Sequence, residues 1–454
     1  MRSPRGAWLW LLAKEWRELV SSRAWWVLLF AMGPLVGVSF IGAVHTYADL
    51  SGLNGTAAGV GEAFSPLIGI WAPTFSACEL AAAFMLPFVA IRLVAGDRQS
   101  GALKLELQHP LSSFARMSAK ASVLVAGWIV ALAPAAIAIV LWRWYGGSIH
   151  APEIGAVIAG HLLNAGLTIG LAATAAALTE HPSTAAIVTL SVTVGTWIVN
   201  FIAAVQGGIW ERAAGYTPTA MVAEFQHGLV RLSTVLVAAT LAMLGLTLAA
   251  IWTRLGVTVR RRACESAAAA ALAALAVAAS ISVRPSWDVS EDRANSFSRA
   301  EEAALRQIRT PLGIEVHLAP EDPRRADLDR RVITKLRRIL PTLEVRYIAA
   351  TTTGLFEQTA AQYGEIWYEV GGRRAMSRAT TAESALETVF SLAGIVPPGE
   401  GGGDVNDADD VDSVDRVYRG HPLAASPTGA ATVYYGVWPA IVVAAAFLTE
   451  RRHS

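Results

Sequence analysis

Residues 24–44 read AWWVLLFAMGPLVGVSFIGAV and contain no charged side chain. A bilayer core about 30 Å thick needs roughly 20 apolar residues of helix, because unpaired backbone groups are not tolerated in lipid. The stretch is long enough to cross, and the sequence around it lacks the short apolar core and small-residue cleavage site of a removable leader. It therefore predicts a retained membrane-spanning helix.

Seven further stretches come near the same length requirement. They lie at 77–94, 119–141, 154–178, 183–205, 232–252, 266–283 and 432–448. The composition agrees with this pattern, since a chain with 54% hydrophobic and 16% charged residues has more apolar surface than one water-soluble core can hide. We therefore predict an α-helical polytopic membrane protein with eight spans.

Lysine and arginine are distributed unevenly between the predicted loops. If the amino terminus is inside, the inner segments hold most of these residues, whereas the outer loop 45–76 holds none. Short cytoplasmic loops attract Lys and Arg, so this asymmetry orients the spans. An even number of spans then places both termini in the cytoplasm and the polar stretch 284–428 outside. We expect a multi-pass protein of a bacterial cytoplasmic (inner) membrane.

An amphipathic segment within residues 1–23 precedes the first span. Apolar residues recur at helical spacing, and its tryptophans, Trp16 among them, suit the lipid headgroup layer. The opposite side of such a helix carries Lys14, Glu15, Arg17 and Glu18. The segment is either a membrane-surface anchor in contact with lipid or a cytoplasmic elbow helix that also touches a partner.

The inner loop between the second and third spans contains residues 95–113, AGDRQSGALKLELQHPLSS. Leucines alternate from Leu103 to Leu107, Gly101 permits a turn before them, and Pro110 ends the stretch. From the residues alone, this segment is either a docking surface or a solvated loop with one helical turn.

The loop resembles the signature of the type-2 ABC exporter permeases, in which an acidic-Arg start, a leucine-rich turn and a Pro-apolar-Ser ending separate the second and third spans. The matching residues are Asp97, Arg98, Ser100, Gly101, Leu103, Leu105, Leu107, Pro110, Leu111 and Ser112. Ala102 and Lys104 depart from the family pattern, which has a hydroxyl and an acidic residue there. The run Lys14-Glu15-Trp16-Arg17, the six-span count and residues 225–228 are also similar to this family, so the resemblance covers about residues 7–256.

This resemblance implies a six-helix permease domain at 24–256, whose loop around Arg98–Pro110 transmits ATP-driven motion. It also implies a second permease half, identical or different, and cytoplasmic ABC ATPase subunits. The sequence contains no G-x-x-x-x-G-K-[ST] phosphate loop. Nucleotide hydrolysis is therefore expected on a separate subunit, and we expect no catalytic residue, cofactor or metal in this chain.

A few polar side chains interrupt the predicted spans. They are His161 and Asn164 in the fourth span, Asn200 in the fifth, and Glu79 at the outer end of the second. Because hydrogen-bonding groups are costly in lipid, such residues face a neighbouring helix or a cavity. They are candidates either for hydrogen bonds between helices or for the lining of a substrate pathway.

After Arg284 the composition changes to charged, alternating and capped segments. Capping boxes at 298–301 and 380–383 predict two helices, and alternating apolar residues predict strands at 314–318 and 343–347. Helices alternating with strands favour a partly parallel sheet with helical cover. We therefore predict a small inserted α/β domain.

This predicted extracytoplasmic domain occupies residues 284–396 and is followed by a flexible acidic linker, 397–428. Residues 287–298, WDVSEDRANSFS, resemble the gliding-motility auxiliary (GldG-like) family of ABC systems. Members of that family are anchored at both ends, as this domain would be by the seventh and eighth spans. The chain thus resembles a fusion of a permease with its companion subunit.

Three classes of function are compatible with these features. The leading hypothesis is a permease that couples ATP hydrolysis on another subunit to outward movement of a substrate. The alternative is a non-transporting membrane machine that passes the same motion to a cell-envelope partner. A membrane-bound enzyme is disfavoured, since no convergent nucleophile, metal or acid–base set is found. Nucleic acid is not expected as a partner, because the net charge is only +1.

Overall fold

The computed structural model describes residues 4–50, 65–101, 111–206, 209–319, 322–340, 342–348, 362–398 and 427–451. Within these ranges, eight helices are long and apolar enough to cross a membrane. They are Arg23–Leu50, Leu67–Asp97, Ser113–Trp144, Ala151–Leu178, Pro182–Ala203, Leu232–Trp252, Val259–Ile281 and Ala430–Arg451. Each overlaps one predicted stretch, the alanine-rich seventh included, so the chain is a polytopic α-helical membrane protein, as predicted.

The second span begins at Leu67, well before the predicted start at Ala77. Its first turn is a π-helix, Leu67–Trp71, followed by helices Ala72–Phe84 and Leu86–Ser100. The prediction missed this beginning because Pro73, Thr74 and Ser76 interrupt the apolar pattern. Thr74 Oγ1 donates to the Ile70 carbonyl (2.6 Å) and Ser76 Oγ to the Pro73 carbonyl (2.6 Å), so both hydroxyls are satisfied within the helix.

Proline also stands in the first turn of segments in the third, fourth, fifth and eighth spans. The third span consists of Ser113–Ala131 and Ala133–Trp144, the fifth helix is Pro182–Gln206, and the eighth span consists of Ala430–Thr432, the π-turn Val433–Val437 and Trp438–Arg451. Three further helices in the described part of the bundle do not span: Pro4–Val20, Ile209–Ala214 and Pro218–Gln226. The first of these is named the elbow helix.

The fourth and sixth spans cross at two glycines. The position that a Cβ would take on Gly245 lies 2.5 Å from the Gly170 carbonyl carbon, so neither residue leaves room for a side chain. Thr174 Oγ1 donates to the Gly245 carbonyl (2.7 Å) across the same crossing. Small residues that let two backbones approach are a common means of helix association in lipid.

The eighth span packs against the first, which presents Gly33 and Gly37 one turn apart. Trp438 fills the space beside Gly33, and Tyr434 fills the space beside Gly37. Trp438 Nε1 donates to the Leu29 carbonyl (2.8 Å), and Tyr434 Oη donates to the Pro134 carbonyl of the third span (3.0 Å). The last span is therefore an integral part of the helix bundle.

Residues 286–395, named the sheet segment, contain most of the β-structure. The strands among the described residues are β1 (Leu229–Arg231), β2 (Ser286–Asp288), β3 (Leu312–Val316), β4 (Leu343–Tyr347), β5 (Ile366–Val370) and β6 (Arg373–Ser377). The helices of this segment are Arg299–Leu305, Pro323–Leu328, the π-turn Asp329–Ile333, Thr334–Ile339 and Ala382–Ala393. The four-stranded sheet has the order β4-β3-β5-β6, with β3 and β4 parallel and the other pairs antiparallel.

Local signals in the sheet segment were partly correct. The capping box of Ser298 and Glu301 is present at the start of its helix. The second predicted box is wrong, because the cap is Thr381 and not Thr380, and no side-chain bond is made there. The next residue already enters the helix, so Glu383 stands one position too early to complete a box. The acidic linker lies almost entirely outside the described residues.

The sheet segment is tied to the bundle through β1 and β2, which pair antiparallel from Leu229↔Asp288 to Arg231↔Ser286. β1 immediately precedes the sixth span. Asn295 Nδ2 also donates to the His227 carbonyl (2.6 Å), and the Glu291 backbone N–H donates to the buried Glu153 carboxylate (2.7 Å) at the start of the fourth span. The segment is thus fixed to two spans besides those that flank it.

Gly37→Val should separate the eighth span from the first, because the added side chain would meet Tyr434, whose Cβ lies 2.5 Å from the new Cβ. We expect a loss of about 1–3 kcal/mol, which is typical of overpacking. Gly42→Val is the matched control on the same helix, since nothing lies within 4 Å of its added Cβ. Thermal unfolding in mild detergent measures both, and equal losses would contradict the packing described.

Candidate functional site

The elbow helix, Pro4–Val20, is joined to the first span by Ser21 and Ser22 alone. Trp26 Nε1 of the first span donates to the Val20 carbonyl at its end (2.7 Å). Within the elbow helix, Leu11 and Leu19 are buried, whereas Leu9, Trp10 and Trp16 are exposed. The helix therefore has one face against the spans and one aromatic face open to its surroundings.

Glu15 is fully buried, with 0% of its surface exposed, although the helical pattern places it on the side opposite the apolar residues. It is buried because this side of the elbow helix faces Lys120 of the third span. Lys120 Nζ lies 2.8 Å from Glu15 Oε1 and 2.7 Å from Oε2. Only 2% of Lys120 is exposed.

Lys120 also binds the end of the second span. Its Nζ donates to the Asp97 carboxylate and to the Leu93 carbonyl (3.2 Å). Asp97 is likewise buried, at 3% exposed. Its other oxygen accepts from Lys14 Nζ (2.8 Å), which also lies 3.0 Å from a Glu18 carboxylate oxygen. Lys14, Glu15, Asp97 and Lys120 form what is named the charge cluster.

The charge cluster balances two buried carboxylates with two ammonium groups. Burial raises the pKa of the Glu15 carboxyl, and Lys120 and Lys14 oppose that effect. Carboxylate oxygens of Glu15, Glu18 and Asp97 lie within 4.8 Å of one another, which is also a spacing suited to a metal ion. The lysines already pair with these oxygens, so the arrangement is explained by ion pairing.

The charge cluster joins the start of the predicted coupling loop, at Asp97, to Lys120 two turns inside the third span. After Asp97 the helix continues through the backbone of Arg98 to Ser100 and ends at Gly101, which has φ +77° and so makes the predicted turn. Ser112 caps the third span by accepting from the Ala115 N–H (3.0 Å). Leu103, Leu105, Leu107 and Pro110 lie outside the described residues, as do the side chains of Arg98 and Ser100.

The other predicted elbow residues have different surroundings from Glu15. Trp16 is 39% exposed on the open face, beside Trp10 at 43%. The Arg17 carbonyl accepts from the Ser21 N–H (2.9 Å) at the turn into the first span. The structure thus brings Lys14 and Glu15 into the charge cluster, and leaves Trp16 exposed.

The four polar residues predicted within the spans fall into two groups. His161 is fully buried, with Nε2 3.4 Å from Gln226 Nε2 and its ring 5.4 Å from that of Phe75. Asn164, one turn along, is also buried, against the 218–226 helix. Both therefore belong to the packing of the fourth span against its neighbours, which favours the interhelical alternative for this pair.

Glu79 and Asn200 instead line one open pocket of about 480 Å³ between the first, second and fifth spans and the 218–226 helix. Its lining residues are Ser39, Ser76, Ala77, Glu79, Leu80, Trp197, Asn200 and Thr219. This set is named the membrane cavity. Glu79 is well inside the second span and not at its end, because that span starts earlier than predicted.

The membrane cavity includes residues that the sequence did not single out, Trp197 and Thr219 among them. Thr219 belongs to the first turn of the 218–226 helix, whose cap, Thr217, donates to the Asn200 side-chain oxygen (2.9 Å). A hydroxyl residue before a helix, such as Thr217, is an ordinary cap. Nothing in the sequence therefore distinguished Thr217 or Thr219 from other threonines. Their approach to the fifth span is a tertiary feature.

No protein-family model matches this chain, and no curated protein matches it either. The assignment of a function therefore rests on the geometry of the charge cluster and of the membrane cavity, together with the residue patterns of the sequence.

Lys120→Met should destabilise the protein strongly, because the Glu15 and Asp97 carboxylates would remain buried without their shared cation. Removing one partner of a buried ion pair costs about 3–5 kcal/mol. Arg261→Gln is the control, since its pair with Glu265 is largely exposed and such pairs contribute below about 1 kcal/mol. Thermal unfolding in mild detergent would refute the charge cluster if the two variants lost stability equally.

Proposed function

We propose that this chain is the permease subunit of an ATP-binding cassette exporter. A separate ATPase subunit hydrolyses ATP, and this chain couples hydrolysis to outward movement of a substrate across a bacterial cytoplasmic membrane. The observation that carries the proposal is the charge cluster. It lies at the root of the loop that resembles the coupling segment of the type-2 exporter permeases, and it binds that root to the elbow helix.

The ion pairs of the charge cluster connect the loop mechanically to the first three spans. A load applied to residues 98–112 by an ATPase subunit reaches Asp97 at one end and the third span at the other. Asp97 and Lys120 are bound to each other, and Lys120 is bound to Glu15 of the elbow helix. Separating such charges away from water is costly. The first, second and third spans therefore move together when the loop is pushed.

The membrane cavity provides a place for the substrate of such a motion. It lies beside the first and second spans, which the charge cluster couples to the loop, and beside the fifth span, which contributes no residue to the cluster. Movement of one group relative to the other changes the width of the cavity. A second permease half, identical or different, is expected to complete the pathway.

The charge distribution supports an orientation with both termini in the cytoplasm and residues 284–428 outside. The charge cluster then lies at the cytoplasmic boundary, where an ATPase reaches it. The exposed tryptophans of the elbow helix lie at the depth of the lipid headgroups. The sheet segment, with its resemblance to the GldG-like family, then lies on the outer side as an auxiliary domain.

One observation favours the second candidate, a machine that passes motion to a cell-envelope partner. The sheet segment is tied by β1–β2 pairing to the start of the sixth span and by Glu153 to the start of the fourth. Motion of these spans therefore reaches the sheet segment directly. If the chain is an exporter, a small molecule should stimulate the ATPase activity. If it is a non-transporting machine, an envelope component should stimulate that activity.

Affinity purification from mild detergent should recover an ATPase subunit with this chain. Replacing residues 98–107 by a Gly/Ser stretch should abolish recovery, because the loop is the proposed docking surface. The matched control replaces residues 51–60, a stretch of equal length in the predicted outer loop, and should retain the ATPase. Mass spectrometry of the eluate measures both, and full recovery with the 98–107 replacement would refute the coupling role.

The proposed orientation predicts the accessibility of cysteines. Cys264 is exposed at the start of the seventh span, whereas Cys78 is fully buried. A membrane-impermeant maleimide should label Cys264 in inverted vesicles and not in intact cells. A cysteine introduced in the sheet segment by Arg309→Cys, in a Cys264→Ser background, should show the opposite pattern. Labelling of both positions from one side would overturn the assigned topology.

A further inference from the structure

The membrane cavity contains one ionisable side chain among its lining residues, Glu79. The Thr219 side chain lines the cavity beside it. Within the described residues, no lysine, arginine or histidine forms an ion pair with Glu79. A carboxylate at membrane depth is costly unless a positive charge or several hydrogen bonds accompany it. An ionised Glu79 in this cavity therefore lacks a counter-charge among the described residues.

The other walls of the membrane cavity combine apolar and hydroxyl surfaces. Trp197 and Leu80 supply the apolar area, and the Trp197 ring is set edge-on against Phe84, with ring centroids 5.4 Å apart. Indole is also the side chain whose face attracts cations best. Ser39 and Ser76 add hydroxyl groups near Glu79. An anionic ligand would meet a carboxylate and no cation among these lining residues.

The size of the membrane cavity distinguishes between kinds of cation. A volume of about 480 Å³ is that of a site for an organic molecule, whereas a bare metal ion needs several oxygen ligands at close range. Glu79 is not part of the one carboxylate group with metal-ligand spacing found among the described residues. The charge of Glu79, the apolar walls and the volume of the cavity thus all favour an organic ligand.

We propose that the membrane cavity binds an organic cation with an apolar body, whose positive charge pairs with Glu79 and whose body lies against Trp197 and Leu80. This inference rests on the proposed function, in which the bound cation is the exported substrate. Glu79 is then the residue that sets the preference for positive charge. Asn200, held by Thr217, contributes a polar contact at the opposite wall.

Tetraphenylphosphonium and tetraphenylborate test this inference, because they have nearly the same size and shape and opposite charge. Equilibrium dialysis of the purified full-length protein in lipid nanodiscs measures binding, with empty nanodiscs correcting for partition into lipid. We expect saturable binding of the cation and none of the anion. Glu79→Gln should weaken cation binding about tenfold or more, the effect of losing one member of a desolvated charge pair.

Two variants serve as controls. Glu79→Asp keeps the charge and should retain most of the binding, whereas Glu180→Gln removes an exposed carboxylate from the loop after the fourth span and should change nothing. If Glu79→Gln does not fold, Trp197→Ala provides a second test and should weaken binding severalfold. Equal affinity for both probes, or unchanged cation binding by folded Glu79→Gln, would overturn the proposal.

The assay contains no ATPase subunit, so its result is independent of the proposed coupling. If the cation does not bind but an ATPase co-purifies, the exporter proposal stands and the proposal of a cationic substrate is refuted. If the cation binds saturably but no ATPase co-purifies, the cation-site proposal stands and the exporter proposal is refuted.

Discussion

Lys120 is held by two carboxylates where water does not reach, and the arrangement of the first three spans depends on this contact. Charges withdrawn from water are tolerated only when partners satisfy them in good geometry. Here the carboxylates come from the elbow helix and from the end of the second span, and Lys120 comes from the third span. These three segments therefore form one body at the base of the bundle, and residues 98–101 continue from it.

The positions of the spans follow from the sequence because bilayer thickness imposes a length on any apolar helix. Their ends follow less well. The start of the second span was missed because Thr74 and Ser76 look polar in one dimension, whereas in the helix their hydroxyls bond to preceding carbonyls. Strand positions at 312–316 and 343–347 were close to those predicted, because period-two alternation is a local property.

The candidate site was less accessible to sequence reasoning. A helical pattern places Glu15 on the polar side of its helix without revealing what faces that side. One signal was available, since Lys120 is the second residue of the predicted span 119–141, where a charge needs a counter-charge or access to the headgroups. Glu79 and Asn200 share a cavity while His161 does not, and this division is set by how the helices cross. A single sequence carries no record of such crossings.

The seating of Trp438 and Tyr434 against Gly33 and Gly37 has a consequence for synthesis. The first span leaves the ribosome with its two-glycine groove bare, and the residues that fill the groove come some 400 positions later in the chain. Membrane insertion of the bundle is therefore complete only when the eighth span arrives. Until then the groove is open to lipid or to an assembly factor, and a chain interrupted before residue 430 is left with an unfilled seam along its first helix.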